Sequence, residues 1–248
     1  MKISIITPSF NSADTIVGTI SSVLLQDYPN IEYIIVDGGS KDSTVEIVKK
    51  YGDKIAKFIS EKDSGIYDAM NKGIKMASGD VVGILNSDDF YPDASVISDV
   101  VKAFNASMSD SVYGDLDYVN WDETTKVIRK WRAGNHTWKS FRFGWHPPHP
   151  TFFVKKELYD RFGLFREDLR IAADYELMLR FIYINKITMS YIPKVLVKMR
   201  DGGVSSSGLS ARKTTYIEDA KGWSFNNLKP SVFALTMKRV RKLTQWLR

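Results

Sequence analysis

Across the first ninety residues, short apolar runs rich in β-branched side chains alternate with segments of helical period, and this alternation leaves few folds open to the chain. Residues 3–6 form the first run. Ser12 or Asp14 then caps a helix whose apolar face is Ile16, Ile20, Val23 and Leu24. Residues 31–36 are apolar apart from Glu32, as a strand buried on both faces requires. Gly38-Gly39 breaks that run, and Ser40 or Asp42 starts a second helix through Ile47 and Val48. A third strand at 55–59, a third helix over 66–77 with Ile66, Met70, Ile74 and Ala77 inward, and a fourth strand at 81–85 complete the series. The pattern predicts an α/β fold with a mostly parallel, doubly wound sheet.

After Asp89 the rhythm changes. Residues 94–104 read as a helix, 111–119 and 126–131 as strands, and the aromatic, Gly/Pro/His-rich stretch 138–150 as a loop with function. Helical patterns return at 155–162 and 172–183, and 187–199 reads as a strand broken at Pro193. The tail from Pro230 is basic, carries no acid and is helical in period.

Composition narrows the chemistry. The 248 residues suit one catalytic domain with a short appendage. Without cysteine, any metal must sit on oxygen or imidazole ligands. The apolar run at the N-terminus ends at Ile6 and Pro8 cuts it off, too short for a signal core. No stretch approaches the ~18 apolar residues of a spanning helix, so a soluble or peripheral, cytoplasmic protein is expected. A net charge of +6 suits a polyanionic partner: nucleic acid, anionic lipid or a phosphate-bearing substrate.

In an open parallel sheet, ligands bind at the carboxyl ends of the strands. Those ends read Thr7-Pro8-Ser9-Phe10-Asn11, Asp37-Gly38-Gly39-Ser40-Lys41-Asp42-Ser43, Glu61-Lys62-Asp63-Ser64-Gly65 and Asn86-Ser87-Asp88-Asp89. Alone, Asp37-Gly38 is a turn, and Asp42 or Asp63 a helix cap. Four strands ending this way exceed what capping needs. Asp88 and Asp89 follow an apolar strand directly, where a hard divalent cation with a diphosphate completing its shell would find carboxylate oxygens.

Taken in order, these segments, together with Asp63-Ser64-Gly65-Ile66-Tyr67-Asp68-Ala69-Met70-Asn71-Lys72-Gly73, resemble the successive signatures of family 2 inverting glycosyltransferases. The resemblance implies the GT-A fold, a single Rossmann-like α/β domain at 1–228, with a nucleotide-sugar half (1–90), an acceptor half (91–228) and a separate tail (229–248). It implies that Thr7, Pro8, Ser9 and Asn11 line the nucleotide pocket, and that Asp37, with Gly38 beside it, hydrogen-bonds the base. Asp63, Gly65 and Asn71 would shape the floor under the ribose and sugar. Asn86-Ser87-Asp88 would be the Asp-x-Asp element, with Asp88 on Mn²⁺ or Mg²⁺ and Asp89 as a second candidate ligand. The chain departs from the commonest pattern at Asn86, where an amide replaces the first Asp, so metal affinity would rest on Asp88.

The second half resembles a narrower group, enzymes of exopolysaccharide and colanic-acid-type assembly, in His149-Pro150-Thr151-Phe152-Phe153, Gly163-Leu164-Phe165, Ala172-Ala173-Asp174-Tyr175-Glu176-Leu177 and Gly202-Gly203-Val204-Ser205. Asp174 holds the position of the catalytic base, and a first-turn acid on the helix that follows is compatible with that role. His149 is assigned to the acceptor or diphosphate site and His146 to loop hydrogen bonding. Trp138, Phe141, Phe143 and Trp145 suit either sugar stacking or a buried cluster.

The expected activity is transfer of a sugar, with inversion, from a nucleoside-diphosphate sugar to a glycan or lipid-linked acceptor in cell-surface polysaccharide biosynthesis. A nucleic-acid partner is not expected. A sugar nucleotidyltransferase would carry a Gly- and Arg/Lys-rich loop after strand one, which residues 7–11 lack. A catalytically silent nucleotide-sugar-binding protein would not need both Asp88 and Asp174. In the tail, Phe233, Met237, Val240, Leu243 and Leu247 recur at helical spacing beside Lys238, Arg239, Arg241, Lys242 and Arg248. Such a helix either lies on an anionic membrane at the inner face of the cell membrane or docks on the domain.

Overall fold

The computed structural model describes residues 1–202 and 208–245. β1 (Ile3–Ser9), buried along its whole length, lies between β2 (Ile31–Asp37) and β4 (Val81–Ile84), with β3 (Lys57–Ser60) outside β2. All four run parallel, Ile6 standing level with Ile34 on one side and Ile84 on the other. Side chains alternate across a strand, so the two faces of β1 feed two apolar layers. Ile6, Ile34 and Ile84 pack with Met70 and Ile74 of α3 (Ile66–Met76). On the other face Ile3, Ile5 and Ile35 meet Ile16 and Ile20 of α1 (Ile16–Leu24) and Val96 and Val100 of α4 (Val96–Ser107). α2 (Thr44–Lys49) completes the second crossover.

Glu32, the one charge in its run, is buried on β2. It accepts from Ser4 Oγ (2.6 Å) and Ser78 N (2.7 Å) and pairs with Lys57 at 2.9 Å. Burial works to raise its pKa, but these bonds outweigh it and hold the carboxyl well below the usual range.

Beyond β4 the sheet turns mixed. β7 (Phe153–Lys155) joins β4 antiparallel and hands the sheet on to β5 (Ser111–Val119), whose far end carries β6 (Val127–Trp131). β8 (Met189–Arg200) runs parallel to β5 along its length. The order is β3-β2-β1-β4-β7-β5-β6, with β8 on β5. The expected break at Pro193 is a bulge: the register jumps from Gly114–Ile192 to Asp115–Val195, so Pro193 and Lys194 leave the ladder while the strand continues.

The loop expected at 138–150 holds a 3₁₀ turn over Trp138–Phe143, and α5 (Lys156–Phe162) follows β7. α6 (Ala173–Met178) continues as a wider π-type turn through Leu179–Ile184. α7 (Gly208–Phe225) and α8 (Val232–Thr244) close the chain. α8 docks on the domain by Ala234, Leu235 and Lys238, and Lys238 pairs with buried Asp219 of α7 at 2.7 Å. Phe233, Val240 and Leu243, expected to share the anchoring stripe, lie on the solvent side. Trp246, Leu247 and Arg248, and the Gly203-Val204-Ser205 part of the last motif, lie outside the described residues. Among the described residues no helix is long and apolar enough to cross a membrane.

Candidate active site

The strand order reverses between β1 and β4, which opens a crevice at their carboxyl ends. Three residues expected to touch a ligand there help to build its walls. Asp37 is fully buried, and its carboxylate accepts from Gly39 N (3.0 Å), Ser40 N (2.9 Å), Ser60 Oγ (2.7 Å), Ser9 Oγ (3.3 Å) and Ser40 Oγ. These bonds tie β1, β2 and β3 together at the strand ends. Asn71 is buried, donating to Phe165 O and Glu167 Oε1 and accepting from Phe165 N, each at 2.9 Å, which pins α3 to residues 165–167. Thr7 is interior and bonded to the Tyr33 hydroxyl at 3.2 Å.

The open side of the crevice is made by others. Phe10 is 60% exposed at its rim. Asn11 takes φ 48°, a conformation Asn tolerates, and its side chain accepts from Lys41 N at 2.8 Å, joining the first two loops. Gly38 is required by a close approach: a Cβ there would stand 2.4 Å from Asp63 Oδ2. The Asp63 carboxylate therefore fills the space of the missing side chain, with its other oxygen bonded to Gly65 N at 3.0 Å. Burial, and then the charges of Asp68 and Asp37, raise its pKa. Gly65 starts α3 at φ 130°, which a side chain would strain.

At the end of β4, Ser87 is held by Ser12 Oγ (2.7 Å) and, through its carbonyl, by Thr19 Oγ1 (2.9 Å). Asp88 is half-buried. Burial raises its pKa, and the Arg200 guanidinium, which donates to the Asp88 carbonyl, acts in the opposite sense. Asp89 is fully buried, and burial followed by the Asp88 charge pushes its pKa well up. Its Oδ2 accepts from Asn86 Nδ2 at 3.1 Å, but Asp89 Oδ1 and Asn86 Oδ1 are buried without a partner. Two orphaned acceptor oxygens beside a carboxylate are the all-oxygen set a hard divalent cation takes. The residues fit such an ion. No group of three or more metal-binding His, Asp or Glu occurs among the described residues, so the remaining ligands would come from water and substrate.

Asp174 stands in the first turn of α6. The turn before it is held from α7: Glu218, buried, accepts from Arg170 N (3.0 Å), Ile171 N (2.8 Å) and Ala172 N (3.0 Å). Tyr67 of α3 donates to Ile171 O at 2.7 Å, with its hydroxyl 3.5 Å from Asp174 Oδ1. Glu176, the neighbouring acid, is buried, paired with Arg180 at 3.0 Å and bonded to Asn226 at 2.8 Å, so Asp174 is the less engaged acid of the two. His149 is half-buried, its ring against Phe165; burial lowers its pKa and Asp174 counteracts this. His146 is the loop hydrogen-bonder, its ring nitrogen 3.0 Å from Pro147 O, and Phe141 and Trp145 are buried in the aromatic cluster around it. Both Asp89 and Asp174 act on Tyr118 of β5, whose pKa burial raises to about 12 and whose ring carries Arg129 at 3.4 Å.

Glu218, Tyr67, Tyr118 and Phe10 were missing from the expected site. Tyr67 had a signal, since it shares the face of Met70 and Ile74 inside a recognised motif. Glu218 had none, because an acid on a helix reads as a solvated face.

A parallel half-sheet with acids at its strand ends, extended by antiparallel strands into one mixed sheet, matches the GT-A class of sugar-transferring folds. The chain belongs to glycosyl transferase family 2, whose family description matches residues 4–167. An uncharacterised glycosyltransferase of Mycobacterium tuberculosis is 35% identical over 186 residues, covering 72% of this chain and 68% of that protein. A PGL/p-HBAD biosynthesis glycosyltransferase of Mycobacterium bovis is 26% identical over 82% of this chain and 79% of its own. Among solved structures, residues 1–349 of S. aureus TarS in complex with UDP-GlcNAc superpose with TM-score 0.71 at 22% identity, covering 98% of this chain and 73% of that one. The mannosyltransferase PcManGT of Pyrobaculum calidifontis, in complex with GDP-Man and Mn²⁺, gives 0.67 at 19%, over 97% and 69%. Full-length TarS is longer, and this chain covers 43% of it.

Proposed function

We propose that the protein moves a sugar from a nucleoside-diphosphate sugar to a hydroxyl of a glycan or lipid-linked acceptor, with inversion, in cell-surface polysaccharide assembly at the inner face of the membrane. The observation that carries this reading is the pair of orphaned acceptor oxygens of Asn86 and Asp89 at the carboxyl end of β4, in a chain of glycosyl transferase family 2. The nucleotide-sugar complexes of TarS and PcManGT and the biosynthetic glycosyltransferase named in M. bovis support it.

Asp174 takes the proton of the acceptor hydroxyl as that oxygen bonds to the anomeric carbon. The bond from that carbon to the donor diphosphate breaks on the opposite face, and the nucleoside diphosphate leaves. Asp88, with the orphaned oxygens of Asn86 and Asp89, would hold Mn²⁺ or Mg²⁺, which supplies charge stabilisation for the leaving diphosphate. At the base end Asp63 presents the free carboxylate oxygen, which suits a ring N–H of uracil, thymine or guanine, with Phe10 beside it for stacking. His149 faces the acceptor. The test is stereochemical: the product formed from a panel of UDP-, GDP- and dTDP-sugars is examined by NMR, and inversion is expected. A product that retains the donor's anomeric configuration overturns the single-displacement reading.

A further inference from the structure

A cavity of about 240 Å³ opens between residues 131–146 and α8. Its lining includes Arg132, Lys238, Arg241 and Lys242 with the imidazoles of His136 and His146, and no carboxylate. Part of this charge is met from behind: Arg132 reaches Asp117 at 2.6 Å, and Lys238 reaches Asp219 at 2.7 Å. Lys242 makes no ion pair among the described residues. Desolvation in the cavity wall, and then Lys238 and Arg129, lower its pKa to about 8, although the residue as a whole is exposed. Burial followed by Lys238 holds His146 well below its usual pKa, and burial followed by Arg241 lowers His136, so both rings are neutral at pH 7.

A second observation is independent of charge. Gln245, also in the lining, is buried, and its Oε1 has no hydrogen-bond partner. A buried amide oxygen costs stability unless some donor meets it. The cavity thus presents a cationic lining and one unsatisfied acceptor oxygen.

Its place relates it to the reaction. Lys238 Nζ lies 3.7 Å over the ring of Tyr175, the residue after Asp174, and His146 packs edge-on against the same ring. The Asp174 charge reaches Lys242. The cavity therefore lies against the helix that carries the proposed base, while the donor diphosphate belongs at the Asp88 end.

We propose that this cavity binds a phosphate or diphosphate ester of a sugar, with Lys242 on the anion and Gln245 on a sugar hydroxyl; that the ester belongs to the acceptor rests on the transferase reading. Trp131 and Trp145 in the walls give the sugar ring an apolar face.

The test uses isothermal titration of the whole protein with inorganic pyrophosphate and with a sugar 1-phosphate, in EDTA at low salt. Binding is expected for both ligands, with the sugar 1-phosphate displacing pyrophosphate, and it persists in Asp88→Ala. Lys242→Gln weakens both about tenfold, the loss of one charge-assisted hydrogen bond, whereas Gln245→Leu weakens the sugar 1-phosphate alone. Pyrophosphate binding that no sugar phosphate displaces overturns the ester and leaves a site for free anion. Absence of binding, or binding lost in Asp88→Ala and indifferent to Lys242→Gln, overturns the site. Donor hydrolysis by the unaltered protein is scored separately: titration without hydrolysis faults the transferase reading, and hydrolysis without titration faults the cavity alone. Circular dichroism of each variant verifies folding, and Lys238 is left intact because Asp219 depends on it.

Discussion

Replacing Glu218 with alanine tests whether the placement of Asp174 depends on α7. In the structure one carboxylate accepts three backbone N–H groups in the turn before the proposed base. The three donors differ in what replaces that partner. Arg170 is exposed and water can serve it, Ile171 is half-buried, and Ala172 is buried and left unpaired. At ~1–3 kcal/mol for each buried donor left unsatisfied, the loss is about 2–4 kcal/mol. For a chain of this size that lowers Tm by roughly 4–16 °C, which calorimetry resolves. Glu218→Gln keeps a carbonyl oxygen for Ile171 and Ala172 and sacrifices mainly the exposed bond, so its loss stays under about 1 kcal/mol. Function should follow placement. With the turn released, turnover in Glu218→Ala falls roughly 10–10²-fold, while the donor dissociation constant stays the same. A lowered Tm with turnover intact would show that Asp174 is positioned without Glu218, and an unchanged Tm would refute the hydrogen-bond argument itself.

Three further substitutions separate the roles within the crevice. Asp174→Asn keeps size and first-turn position, so Tm and donor binding hold while turnover falls ~10²–10⁴-fold; near-normal turnover rejects it as base. Asp88→Ala abolishes metal-dependent thermal stabilisation by donor sugars, and stabilisation that persists with metal removes Asp88 from the metal site. Gly38→Ala places a Cβ 2.4 Å from the Asp63 carboxylate, a side-chain end that can swing aside, so Tm moves little while the nucleotide dissociation constant rises about tenfold. Unchanged affinity for the free nucleotide would refute Asp63 as the base reader.

The parallel half of the sheet was legible because its residues obey one rule each. A run such as residues 31–36, apolar apart from Glu32, fits a strand covered on both faces, and the helix at 66–77 ends within a residue of α3. The second half obeys competing rules. β7 has three residues, too few for a period, and they sit inside a motif read for chemistry. α7 was missed because Glu218 and Asp219 interrupt its buried face between Ala211 and Trp223, which leaves a pattern of apolar spacing little to detect. The same limit applied within the site. Sequence placed Asp37 and Asn71 at the right crevice, but whether a side chain meets a ligand or a neighbouring backbone depends on three-dimensional partners such as Ser60 and Phe165.

The tail resolves differently from either simple expectation. Its inner face is part of the domain: removing residues 231–248 would leave the buried Asp219 carboxylate without Lys238, so truncation confounds folding with binding. Its outer face remains apolar, with Phe233, Val240 and Leu243 at 57%, 43% and 65% exposure, flanked by the cations of the same helix. A docked helix can therefore still rest on an anionic surface, inner face to protein and outer face to lipid. The appropriate perturbation is Phe233→Ser, Val240→Ser and Leu243→Ser together. Partial insertion of three such side chains is worth about 1–2 kcal/mol each, so their loss weakens partitioning to anionic liposomes on the order of 10²–10⁴-fold. Tm should hold, because Ala234, Leu235 and Lys238 still dock, and soluble donor hydrolysis should continue. Liposome sedimentation at low salt decides it. Binding by the triple variant equal to that of the parent, or no binding by the parent, would leave α8 as a docked helix with no membrane role.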